Sequence, residues 1–165
     1  MHEAVVHPDG RLELAGRVWR VALGAGGVRA DKQEGDGATP AGLLALRRVL
    51  YRADRVPVPH TALPREPIAP DDGWCDDPAH PDYNRRIRLP HPAHHEALWR
   101  SDGLYDLVGV LGWNDAPVEP GRGSAIFLHV ARPGLTPTEG CVALELADLQ
   151  ALLRAGLTAL RLLAP

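Results

Sequence analysis

Lysine is almost missing from this chain: of 18 basic residues only Lys32 is lysine, and the rest are Arg. Arg favours bidentate pairing with carboxylates, although a coding bias towards Arg produces the same count without any function. Charge of one sign is missing too. The formal net charge is −3, which offers no general attraction to nucleic acid or to an anionic membrane surface. No apolar run approaches the length of a membrane span. The first residues, MHEAVVHPDG, lack the basic segment and apolar core of a secretory signal. Only two cysteines occur, Cys75 and Cys141, too few for a disulfide framework. A phosphate-binding loop is also missing: the glycines at 24, 26 and 27 are followed by no Lys-Ser/Thr pair.

What is present is an ordinary globular composition of 45% hydrophobic and 24% charged residues, with 17 Gly and 16 Pro in 165 positions. That length predicts one domain, residues 1–165, with a proper core and many turns. The Pro8-Asp9-Gly10 turn signal joins two short apolar-polar segments, so a hairpin is expected there, continued by a third strand over 17–23. A strand is expected over 43–51. The proline-punctuated stretch 56–72 reads as an extended surface connection with room for a short edge strand. Residues 105–113 read as a buried strand, and Asn114-Asp115-Ala116-Pro117 as a turn. Residues 145–155 read as an amphipathic helix with Leu146, Leu149, Leu152 and Leu153 on one face, stopped by Gly156. Residues 158–163 then form a closing strand.

Three histidines, His91, His94 and His95, lie close together near Glu96. On a helix His91 and His95 would share a face, as a metal pair does. Pro92 restricts that arrangement to a first turn, and no further ligand follows at suitable spacing. A short surface helix over 94–100 is the expectation, with a metallohydrolase built on these histidines as a rival reading. Asp76 and Asp77 are adjacent, which seldom lets two carboxylates share one buried site; a turn before Pro78 is expected.

The chemistry-bearing stretch is Ser124 to Leu144, SAIFLHVARPGLTPTEGCVAL. An apolar run delivers His129, a Pro- and Thr-rich loop follows, and Thr138-Glu139-Gly140-Cys141 leads into a second apolar run. A thiol is a poor nucleophile until it loses its proton, and a nearby imidazole is a common means to that end. Gly140 permits a tight turn before the sulfur and leaves nearby amides open to a developing oxyanion. The bland alternative is a small buried Cys beside a core His.

The pattern of His129, a variable loop, then Thr138, Glu139, Gly140, Cys141 and Val142 resembles the signature of the L,D-transpeptidase catalytic-domain family of the YkuD type. A second stretch, Lys32 to Gly42 (KQEGDGATPAG), resembles another recurring segment of that family. Two departures stand out: Glu139 occupies the place of a second His, and Ala143 and Leu144 stand where an Arg is common. The resemblance implies a mainly β fold, a curved sandwich or barrel-like set of mixed sheets with a C-terminal helix. It implies cysteine acyl transfer on peptidoglycan stem peptides, giving 3,3 or 1,3 cross-links, with Cys141 as nucleophile and His129 as base. Gly140 and Thr138 would shape the oxyanion loop. Tyr83, Asn84, Arg85, Trp113 and Asn114 would bind the stem peptide. No metal or organic cofactor is implied, and a monomer in the periplasm or cell envelope is expected although no export signal is visible. Hydrolysis of stem peptides, or peptidoglycan binding without catalysis, are the alternatives.

Overall fold

The structure, a computed structural model, describes residues 2–165. The chain opens with β1 (His2–Val6) and β2 (Arg11–Leu14), the expected antiparallel hairpin, and β3 (Arg17–Arg20) pairs antiparallel to β2. Two short strands follow, β4 (Val28–Arg29) and β5 (Thr39–Pro40), paired in parallel. The long β6 (Gly42–Tyr51) comes next, with the short β7 (Arg65–Pro67) on its flank. Then come β8 (Asp72–Cys75), β9 (Arg86–Arg88), β10 (His95–Ala97), β11 (Leu107–Leu111), β12 (Phe127–Val130) and β13 (Val142–Leu144). Helix α1 (Leu146–Arg154) and β14 (Leu157–Leu162) complete the chain.

The main sheet has nine strands in the order β13-β12-β11-β6-β14-β1-β2-β3, with β7 pairing to β6 off that path. The first and last strands pair in parallel, β1 with β14, so the chain ends lie together in mid-sheet. Beyond β3, Ala22 exchanges both backbone hydrogen bonds with Ala143 of β13, at 2.8 and 2.9 Å. That bridge ties the two sheet edges together, so the curved sheet is nearly closed, and closure removes exposed edges. Side chains alternate across the strands. Leu12, Leu14, Leu44, Leu46, Leu128, Val142 and Leu144 face a common interior core with Leu149, Leu152 and Leu153 of α1. The leucine spacing read from the sequence therefore gives the helix face that is buried. Gly156, at φ 90°, ends that helix where a left-handed residue is needed.

The opposite face of β11 and β12 carries Val108, Val110 and Phe127. It is covered by Trp74, Leu98, Leu104 and Tyr105. The cover is a second sheet of three strands, β10-β8-β9. The surface helix expected over 94–100 is instead β10, paired antiparallel with β8 through His95–Cys75, Glu96–Trp74 and Ala97–Gly73. Leu98, fully buried in the second core, anchors the segment. Long-range pairing outweighs the helical preference of a seven-residue stretch, which is too short to hold a helix by itself.

Candidate active site

His129 lies in β12 opposite Ala143 of β13, and Leu128 lies opposite Val142. Carrying that parallel register back one step sets Cys141 beside Phe127, on the same face as His129 two residues along. The imidazole and the thiol thus project together from neighbouring strands into one cavity of about 490 Å³. The Phe127 amide donates to Cys141 Sγ at 3.4 Å, and the thiol donates to the Ala125 carbonyl at 3.2 Å. Ala125 is held at φ 54°, a conformation that costs energy for a residue with a side chain. The Asn84 carbonyl oxygen accepts from its amide at 3.1 Å and holds it there.

The position of the His129 proton follows from its partner. Nδ1 lies 2.8 Å from the Val130 carbonyl, which can only accept, so Nδ1 carries the hydrogen. Nε2 is left with a lone pair. The ring also meets the edge of Tyr105, with centroids 5.4 Å apart. Burial pulls His129 below its usual pKa; the Val130 and Leu104 carbonyls work against this, and Arg100 and Arg132 reinforce it. Burial also pushes the Cys141 thiol up to about 12. The Phe127 amide and Lys32 oppose that rise, while the charges of Glu96 and Glu139 add to it. Both effects favour a neutral thiol beside a neutral imidazole at rest.

The loop before Cys141 is locked by Thr138, whose hydroxyl donates to the Cys141 carbonyl at 2.7 Å and accepts from the Gly140 amide at 3.1 Å. The Gly140 amide, expected to face the oxyanion, is therefore engaged within the loop. Gly140 itself is required by contact: at φ 137° a Cβ would fall 2.7 Å from the Ala38 carbonyl oxygen. Ala38 belongs to the Lys32–Gly42 segment, which braces the site. Lys32 is buried and paired with Asp36 at 2.6 Å, and Asp36 also accepts from the Gln33 and Ala38 amides. Burial would raise the Asp36 carboxyl, but Lys32 and those amides outweigh it and hold it at about 2.

The residues expected to bind substrate lie elsewhere. Tyr83 is buried; its hydroxyl donates to Glu34 at 2.7 Å and accepts from the Gly123 amide at 3.0 Å. Asn84 accepts from the Trp74 indole at 3.0 Å and donates to the Trp113 and Asn114 carbonyls at 3.0 and 2.8 Å. Asn114 in turn grips Glu119 and Gly123, and the Trp113 indole donates to Arg122. These four side chains are spent on the loops that carry Ser124 to Ile126. Asn84, Arg85 and Trp113 line a separate cavity of about 220 Å³. None of Tyr83, Asn84, Arg85, Trp113 and Asn114 lines the cavity of Cys141.

The cavity wall contains charged groups outside the expected set of site residues. Glu34, Asp76, Glu96 and Glu139 face it, against Arg100 and Arg132. The Tyr105 hydroxyl donates to Glu96 Oε1 at 2.6 Å. The sequence puts Glu96 beside the three histidines on an expected surface helix; as a strand residue paired with Trp74 it belongs to the sheet that covers the second core.

His91, His94 and His95 do not converge. His91 Nε2 pairs with Asp82, His94 with Asp76, and His95 Nδ1 donates to the Ala93 carbonyl. A different trio, His80, Asp82 and His91, brings its ligand atoms within 4.8 Å of one another. The backbone amides of Asp82 and Ala93 donate to Nδ1 of His80 and His91, which leaves the proton on each Nε2. A metal at both Nε2 atoms would need two imidazolates, so this trio reads as a loop staple.

The family model described as YkuD, L,D-transpeptidase catalytic domain, matches residues 3–158. The chain belongs to the L,D-transpeptidase catalytic domain family. No curated protein matches it. The match to this family runs from the first hairpin into β14, so the cover sheet and the site loops lie inside the L,D-transpeptidase domain. An L,D-transpeptidase-type enzyme acting on peptidoglycan is the functional class that membership supports. Among the described residues no helix is long and apolar enough to cross a membrane.

Proposed function

We propose that this L,D-transpeptidase domain transfers acyl groups between peptidoglycan stem peptides through a thioester on Cys141, in the cell envelope where that substrate lies. The observation that carries the reading is the tautomer of His129. With Nδ1–H committed to the Val130 carbonyl, Nε2 keeps its lone pair on a ring that lines the shared cavity, and it serves as the base. As Sγ attacks a stem-peptide carbonyl, His129 takes the thiol proton and returns it to the departing amine. The Cys141 amide has no acceptor among the described residues and supplies a donor to the oxyanion, since the Gly140 amide is engaged by Thr138. Resting neutrality suits this order, because charge forms only during attack. An amine of a second stem then resolves the thioester into a cross-link, 3,3 or 1,3 according to the donor; water resolves it into a trimmed stem.

Incubation with a synthetic stem tetrapeptide, followed by intact-mass spectrometry, is expected to show a covalent acyl adduct that maps to Cys141 and is absent from Cys141→Ala. An adduct on Cys75, or turnover retained by a folded Cys141→Ala, would overturn the assignment.

A further inference from the structure

Resolution of a thioester by water and by an amine differ in their proton demands. Water loses one proton as its C–O bond forms, and His129 can pass that proton to the departing sulfur. An amine acceptor arrives at neutral pH as an ammonium and must lose two protons to become an amide. His129 accounts for one. A second proton acceptor is needed beside the sulfur.

Glu96 has the placement for that role. It lines the cavity that holds Cys141 and His129. Its Oε1 accepts from the Tyr105 hydroxyl, which fixes the carboxylate, and the same Tyr105 ring packs edge-on against His129. Among the described residues nothing is bonded to Oε2, and no buried side-chain oxygen or nitrogen is left without a partner. Oε2 of this half-buried side chain therefore keeps surface accessible to solvent, and the residue itself lines the cavity. The groups around Glu96 are Tyr105 and Arg100 from the following segment, Asp76 after β8 and Glu139 before Cys141. Burial raises Glu96 above the usual carboxyl range, with Asp76 and Glu139 adding to the rise and Tyr105 and Arg100 opposing it. A raised carboxyl is a stronger base towards an ammonium.

We propose that Glu96 takes the first proton from the acceptor ammonium and so directs the acyl group to an amine rather than to water. The inference rests on the acyl-enzyme reading above. The ammonium N–H bond breaks and a proton forms a bond to Glu96 Oε2. The freed lone pair attacks the thioester carbon, forming C–N. His129 takes the second nitrogen proton, the C–S bond breaks, and the sulfur receives that proton from His129. Glu96 returns its proton to solvent.

The test measures how the acyl-enzyme partitions. A stem tetrapeptide donor and a peptide acceptor carrying a diamino acid are incubated with the protein between pH 6 and 10, and amide and acid products are counted by mass spectrometry. Their ratio does not depend on how fast the acyl-enzyme forms. Glu96→Gln is expected to lower the amide-to-acid ratio at least tenfold at pH 7. The deficit should shrink towards pH 10, where a side-chain amine with a pKa of about 10.4 becomes its own free base. Tyr105→Phe, which keeps the carboxylate but removes the hydroxyl that fixes it, should lower the ratio by less. An unchanged ratio in Glu96→Gln, a deficit that persists at pH 10, or an equal loss in Glu139→Gln would overturn the proposal and leave the acyl-enzyme reading standing. Failure of the wild-type protein to form any acyl-enzyme would overturn both.

Discussion

Alkylation of Cys141 with iodoacetamide separates a neutral thiol–imidazole pair from a preformed thiolate–imidazolium pair. The experiment is run on the Cys75→Ala background. Iodoacetamide reacts with the thiolate, and this small reagent is taken to be attacked without the help that His129 gives against a bound stem-peptide carbonyl. With the thiol pushed up to about 12, each pH unit below that value removes a factor of ten in thiolate. A free thiol of pKa about 8.5 holds roughly three thousand times more thiolate at pH 7. A more basic thiolate is intrinsically more nucleophilic, by a factor of about 30 for such a difference at a Brønsted slope of about 0.4–0.5. The net expectation is alkylation roughly a hundredfold slower than that of a free cysteine, rising about tenfold per pH unit from 6 to 10 without a plateau. His129→Ala should keep that slope, because in this resting state the imidazole does not store the thiol proton. A plateau at or below pH 8 would refute the neutral pair and restore the ion pair.

Two further outcomes follow from the scaffold. Asp36→Asn removes a carboxylate whose folded pKa, about 2, lies below the ordinary 3.8. Its stabilisation is full above the unfolded value and fades as pH falls through the folded one. Urea denaturation should show a loss of about 2 kcal/mol at pH 7 that nearly vanishes at pH 2; an equal loss at both pH values would sever the link to ionisation. Asn84→Ala deletes both hydrogen-bonding ends of a buried amide that holds Trp74, Trp113, Asn114 and Ala125. It also places Ala at φ 56°. It should cost about 3 kcal/mol in the same assay, whereas the exposed Arg85→Ala should shift stability by under about 0.5 kcal/mol. Similar losses in the two variants would contradict the scaffold role of Asn84.

The elements legible in the sequence were those set by local pattern. The first hairpin, the strand over 43–51, the buried strand before Asn114 and the leucine-faced helix stopped by Gly156 all follow from periodicity and turn chemistry, and each lies close to its expected place. Cys141 and His129 were legible as a pair because one loop separates them in the chain. The family, too, could be read from two short motifs. Local pattern failed at His94 to Arg100, where strand pairing to residues some twenty positions earlier replaces a helix. Because of that replacement, Glu96 lines the cavity that holds the thiol, which no spacing within the segment could reveal.

Tyr83 and Asn84 show the same limit from the other side. The family resemblance makes these two substrate-binding residues, whereas the fold occupies their side-chain polar atoms with Glu34, Gly123, Trp74, Ala125 and the chain around Trp113. Residue types in order determine which chemistry the chain can perform and which segments can become strand or helix. Which backbone groups meet the sulfur, which carboxylates share its cavity, and whether it rests as thiol or thiolate depend on burial and on partners distant in sequence. Those are set only when the sheet closes and its cover packs against it.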